Sequence, residues 1–141
     1  MGEARDVGER WFGAIESGDT AALRALLTED CDFATPNGLS GGPDQAIAEI
    51  GVFLRAFPDA RFTVSNWIEG DGADACEGVY SGTHTGLLAS PQGDVPPTGR
   101  SVAVPFATVF EAADGRLTKH HVYWDNASFL MQLGLGPPPG P

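Results

Sequence analysis

Residues 116–134 read RLTKHHVYWDNASFLMQLG, and their reading decides the architecture. The stretch opens after Asp114-Gly115, the dipeptide most suited to a two-residue hairpin turn. It then runs as a strand whose side chains divide at period 2. Leu117, Lys119, His121, Tyr123 and Asp125 form one set, and Arg116, Thr118, His120, Val122 and Trp124 the other. Asn126 is a helix cap, and Phe129, Leu130 and Leu133 supply the apolar stripe of a short helix that Gly134 ends. Asp125 therefore sits where a strand meets a helix, with aromatic neighbours. A carboxylate in such a place is expected to be partly desolvated, which raises its pKa and makes it a usable acid or base.

Upstream, the chain divides into helices and then strands. Glu3 to Ser17 reads as a helix, with Ala4, Val7, Trp11, Ala14 and Ile15 on one face. Asp19 caps a second helix expected to run through Thr28, and Cys31 to Thr35 reads as a short strand stopped by Pro36-Asn37-Gly38. A third helix begins at Pro43 and ends before Pro58, with Ile47, Ile50, Phe53, Leu54 and Phe57 as its apolar face. Arg61–Glu69, Ala73–Thr85 and Arg100–Ala112 follow as strands. In the first of these, strict alternation puts Phe62, Val64, Asn66 and Ile68 opposite Thr63, Ser65 and Trp67. Pro105 hints at a bulge or a sheet edge. The loop from Gly86 to Gly99 is long enough to imply a function or mobility. Helices followed by an antiparallel meander make an α+β fold, with helices covering one face of a curved sheet and a pocket in the open end of the cone. Residues 1–135 form one domain, and the Pro-rich tail 136–141 extends from it.

Bulk composition narrows the function. A chain of 141 residues buries roughly 70% of its unfolded surface, and 42% hydrophobic content can fill that core. The net charge of −11 repels phosphate, so nucleic acid and anionic membranes are excluded as partners. No apolar run is long enough to span a bilayer, and the acidic N-terminus is not a signal sequence. A cytoplasmic location with Cys31 and Cys76 reduced is the expectation. Seven of the eight basic residues are Arg, a composition typical of GC-rich bacteria.

Gly82-Thr83-His84-Thr85-Gly86, Pro96-Pro97-Thr98-Gly99-Arg100, Asp114-Gly115 and Tyr123-Trp124-Asp125 followed by Gln132-Leu133-Gly134 occur in that order. In this set the chain resembles the SnoaL-like polyketide cyclases of the nuclear-transport-factor-2-like superfamily. The resemblance implies a cone-shaped, cystatin-like α+β fold that dimerises through its sheet. It also implies that Asp125 is the general acid/base of an aldol-type ring closure needing neither metal nor organic cofactor. A carbon between two carbonyls is already acidic, so one carboxyl in an apolar pocket can move its proton, provided the pocket folds a hydrophobic polyketide-like substrate so that the reacting carbons meet.

Other residues are weighed beside Asp125. His84 is a candidate donor to a substrate carbonyl, set against a histidine tied to the backbone. His120 and His121 point to opposite faces, so they cannot share a metal; parity places His121 and Tyr123 with Asp125 and His120 away from the pocket. Trp11, Phe53 and Trp67 are candidate pocket walls among otherwise core aromatics. Arg100 either anchors its loop or contacts the substrate. Gly38-Leu39-Ser40-Gly41-Gly42 matches a hydrolase nucleophile elbow in letters, but the antiparallel layout denies it the setting it needs. Three further readings stay open. A limonene-type epoxide hydrolase needs two carboxylates bridged by an Arg. Ketosteroid-isomerase chemistry needs a base where this chain has Thr35. A non-catalytic protein needs only a pocket for a hydrophobic ligand.

Overall fold

The computed structural model describes residues 3–36, 40–90 and 93–135. The elements run α1 Glu3–Ser17, α2 Thr20–Ala25, β1 Leu27–Ala34, β2 Ser40–Gly41, α3 Pro43–Ala56, β3 Arg61–Glu69, β4 Ala73–Thr83, β5 Ser101–Ala113, β6 Arg116–Trp124 and α4 Asn126–Gln132. The six strands form one curved sheet in the order β2-β1-β6-β5-β4-β3. All its pairings are antiparallel except β1 with β6, which is parallel. The α+β architecture expected above is thus present, with one parallel join inside the sheet.

Local chemistry accounts for the boundaries. Asp19 accepts the Ala22 N–H at 3.0 Å and starts α2. That helix stops three residues earlier than the apolar spacing predicts. Leu27 instead opens β1 opposite Leu117, where both are buried. Pro43 occupies the first turn of α3, and Gln45 Oε1 accepts the Gly42 N–H at 3.1 Å. Asp114 and Gly115 both adopt positive φ, 54° and 77°, as a two-residue hairpin turn requires. Glu3 accepts the Gly115 N–H at 2.7 Å and ties α1 to that turn. Pro105 sits one residue beyond the last β5–β6 pair, Phe106 with Trp124, so its missing N–H costs that ladder nothing.

Two register shifts break the period-2 reading. In β3, Val64 faces Gly78 but Asn66 faces Glu77, so Ser65 is an extra residue. Beyond it the faces exchange: Trp67 turns inward onto Phe110, and Ile68 is 59% exposed. In β6, Lys119 faces Glu111 but Leu117 faces Ala112, leaving Thr118 extra. Leu117 and His120 both turn inward as a result, and both are buried.

At the β3 shift the backbones approach closely. A Cβ on Gly78 would overlap the Thr63 carbonyl oxygen and press on Val64 Cα, neither of which can rotate away. Gly78→Ala is expected to destabilise the fold by about 2–3 kcal/mol or more, read as a lower urea midpoint. An unchanged midpoint would show that the strands separate there at no cost.

The concave face of the sheet packs on α1 and α3. One buried cluster joins Val7, Trp11, Phe12, Leu23, Phe33 and Phe110, and a second gathers Phe57, Val104, Phe129 and Leu133 around the end of α4. Among the described residues no helix is long and apolar enough to cross a membrane.

Candidate functional site

Between the two clusters lies a cavity of ≈ 100 Å³ that opens to solvent. Its walls come from α1, α3 and the concave faces of β1 and β3–β6, with Phe129 of α4 at one side. Drug-sized ligands usually occupy roughly 300–1,000 Å³, so this space encloses about one ring and leaves the rest of a larger ligand in the mouth. Nearly all of the lining is aliphatic or aromatic. The exceptions are Thr35, Glu49, Tyr80 and His120, together with the indole N–H groups of Trp11 and Trp124.

His120 is the most unusual of these. Its ring stacks on Phe110 at 4.7 Å and 12°, and Trp11 meets it edge-on at 5.3 Å and 75°. The residue is 4% exposed, and among the described residues neither ring nitrogen has a protein hydrogen-bond partner. Loss of solvation, helped by neighbouring His121, pulls its pKa down to about 3. The imidazole is therefore neutral at physiological pH, with one N–H and one lone pair unpaired. Each such buried group costs about 1–3 kcal/mol until something bonds it. Trp11 Nε1, Thr35 Oγ1 and Tyr80 Oη are likewise buried without a partner. The Trp124 N–H donates to Asn126 Oδ1 at 3.1 Å instead. Four buried polar groups without a protein partner thus surround one apolar space.

Glu49 supplies the carboxylate of the wall. It is half-buried on α3, three residues after buried Ala46 and four before Phe53, which also lines the cavity. That spacing puts it on the inward face of the helix.

Several expected site residues lie elsewhere. Asp125 is exposed, does not line the cavity, and accepts the Ser128 N–H at 3.0 Å as the cap of α4. The expected desolvation of its carboxylate is not found, because the strand ends with the side chain turned outward. Asp125→Asn should cost at most about 1 kcal/mol of stability, since Asn caps nearly as well, and should leave turnover intact. A hundredfold loss of turnover would return this residue to the site.

His121 and Tyr123 share a face with Asp125, as period 2 requires, but it is the outer face: the cavity lies on the side of His120, Val122 and Trp124. His121 Nε2 is 2.9 Å from Asp32 Oδ2, and Tyr123 is 56% exposed. Trp67 packs between Phe110 and the Arg5 guanidinium and stays out of the cavity wall. Arg100 is exposed and its guanidinium lies against Gly134; among the described residues it forms no ion pair. His84 is fully buried outside the cavity. Its Nδ1 accepts the Thr98 N–H at 3.2 Å and lies 3.0 Å from Thr98 Oγ1. Gly99 N–H to His84 O and His84 N–H to Arg100 O, both 2.9 Å, complete a clasp on the Gly86–Gly99 loop. Desolvation lowers the His84 pKa. Of the expected contacts, Trp11 and Phe53 do line the cavity. Within the nucleophile-elbow lettering, Gly38 and Leu39 lie outside the described residues, as does the tail 136–141, and Ser40-Gly41 forms the edge strand β2.

The SnoaL-like domain family matches residues 8–120. No curated protein sequence matches the chain. Among solved structures, IdmH of Streptomyces antibioticus, a proposed polyketide cyclase, is 26% identical with a TM-score of 0.78 over 93% of this chain and 98% of that one. A proposed SnoaL-like polyketide cyclase from Jannaschia sp. CCS1 is 22% identical with a TM-score of 0.81, covering 96% of this chain and 94% of that one. AclR of Streptomyces galilaeus, a proposed hydroxylase, is 19% identical with a TM-score of 0.80, covering 96% and 87%. One backbone thus carries proteins assigned to different chemistries, so the fold alone does not name a reaction. With the family matched across most of its length, the chain belongs to the SnoaL-like domain family and has the nuclear-transport-factor-2-like fold.

Proposed function

We propose that the protein is a cofactor-independent acid/base catalyst that closes a ring in a small, mainly apolar polyketide-like ketone. The observation that carries this reading is His120: a neutral imidazole with both nitrogens buried and unpartnered in the wall of an apolar cavity. The cyclase assignment of a structural relative adds to it.

In the proposed reaction Glu49 removes a proton from the carbon beside a substrate carbonyl. The C–H electron pair becomes the C=C of an enolate, and the carbonyl π pair moves onto oxygen. His120, as a neutral N–H donor, bonds that oxygen while charge gathers on it, a role suited to an imidazole held unprotonated. The enolate carbon then bonds to a second carbonyl carbon of the same molecule, and the new alkoxide takes the proton back from Glu49. The net change is an isomerisation, with no other reactant. The cavity's part is to exclude water and to bring the two carbons together.

The epoxide-hydrolase reading has less support, because the cavity wall holds one carboxylate and no Arg. Thr35 does line the cavity where a ketosteroid-isomerase base would be wanted, but a hydroxyl is no base at neutral pH. A purely ligand-binding role predicts occupancy without proton transfer. The experiment uses 2-tetralone in deuterium oxide, following loss of its C1 protons by NMR. Saturable, protein-dependent exchange is the expected result; saturable binding without exchange would reduce the protein to a binder.

For the assembly we infer a homodimer through the outer sheet face, where Ile68, Val79 and Tyr123 are 59%, 40% and 56% exposed. Burying them against a second copy removes apolar surface from water. Sedimentation equilibrium at micromolar concentration checks it, and a monomer there would count against this face.

A further inference from the structure

The cavity has two polar ends, and the reaction above uses one. His120 faces Phe110 across the sheet, while Tyr80 faces Val104, six residues along the same strand. At the spacing of extended chain their backbone positions are roughly 20 Å apart along β5, and both side chains reach into the one cavity that lies between them. At the far end Tyr80 is held by Phe62, 5.1 Å between ring centroids, and Phe57, 6.1 Å. Its ring is locked, yet its hydroxyl is buried with no partner. Nothing in the fold needs a hydroxyl there; phenylalanine would pack equally well among these rings. Burial also raises its pKa far above neutral, with Asp59 adding to the effect, so the group stays a neutral donor and acceptor.

We propose that Tyr80 is the specificity-determining contact of the site, hydrogen-bonding a second oxygen that the substrate carries at the end remote from its reacting carbonyl. The substrate class is thereby narrowed to flat, elongated ketones bearing a distal hydroxyl or carbonyl. A ketone without that oxygen leaves the Tyr80 hydroxyl unpaired and forgoes one neutral hydrogen bond. This proposal rests on the acid/base reading only for its kinetic readout.

The test compares 2-tetralone with 6-hydroxy-2-tetralone, which adds one hydroxyl across the bicycle from the ketone. Binding is followed by quenching of Trp11 and Trp124, which line the cavity, and catalysis by deuterium exchange at C1. The wild type should bind the hydroxylated probe about five- to tenfold more tightly, the worth of one neutral hydrogen bond. In Tyr80→Phe that ratio should fall to about one. The difference should appear in KM rather than kcat, and the melting temperature should not fall. A ratio that survives in Tyr80→Phe, or that is absent from the wild type, overturns the proposal. So does a fall in melting temperature with equal losses for both probes, since that marks the hydroxyl as structural. Should the wild type exchange neither probe, the acid/base reading fails, while the binding ratio still decides the role of Tyr80.

Discussion

His120→Phe is expected to yield a protein that melts at a higher temperature than the wild type and has lost at least about a hundredfold in deuterium exchange. Both effects have one cause. The wild-type ring holds two unpaired nitrogens in an apolar wall, and a phenyl ring stacked on Phe110 holds none. Removing them should stabilise the fold by about 1–3 kcal/mol, and the adjoining cavity accommodates the larger ring. The pH dependence separates this from generic repacking. The folded-state pKa of His120 is depressed to about 3 from an unfolded value of 6.5. Its neutral form is therefore free of penalty above about pH 6.5. As the pH falls from there toward 3, the unfolded chain takes up a proton that the folded one refuses, and stability drops by up to about 1.4 kcal/mol per pH unit. The advantage of His120→Phe should grow steadily across that window in urea titrations. His84, also depressed by burial, adds a slope of the same sign to both proteins and cancels in the comparison. A variant less stable than wild type, or an advantage independent of pH, would mean that the His120 nitrogens are already satisfied in the resting protein.

Glu49→Gln carries the other large effect. The replacement keeps shape and half-burial but cannot accept a proton, so exchange should fall by about 10²- to 10⁴-fold. Tetralone binding, read from tryptophan quenching, should change little, because the proton is lost after the complex forms. Exchange within about twofold of wild type would place the base on another residue.

These two residues also mark where sequence patterns lead and where they stop. Element order apart from the two-residue edge strand β2, the Asp114-Gly115 turn and the inward face of α1 were legible because each depends on chemistry within a few residues. Trp11 and Phe53 follow from helical spacing in the same way. Faces on a strand are more fragile, because one extra residue inverts every side chain beyond it. Ser65 sends Trp67 inward and Ile68 outward. Thr118 brings Leu117 to the same side as His120, and with the alternation unbroken from Lys119 to Trp124 the cavity lies on the face of His120, Val122 and Trp124, opposite the one to which the pocket was assigned. Neither shift has a turn residue on its own strand to announce it; for β3 the signal is Gly78, across the ladder and thirteen positions away. Asp125 misleads for another reason. A carboxylate at a strand–helix junction suits a cap as well as it suits catalysis, and the backbone N–H of Ser128 claims it. Glu49 did leave a local signal: a carboxylate at helical spacing between Ala46 and Phe53, on an otherwise apolar face.

The claim that binds these results together is that ligand meets His120. Nitrogen NMR of protein labelled at its three histidines, titrated with 2-tetralone, addresses it most directly. The account predicts that one imidazole, assigned by its absence in His120→Phe, shifts saturably as its N–H gains an acceptor, while His84 and His121 stay in place. A saturable response at His121, or at none of the three while exchange proceeds, would contradict it.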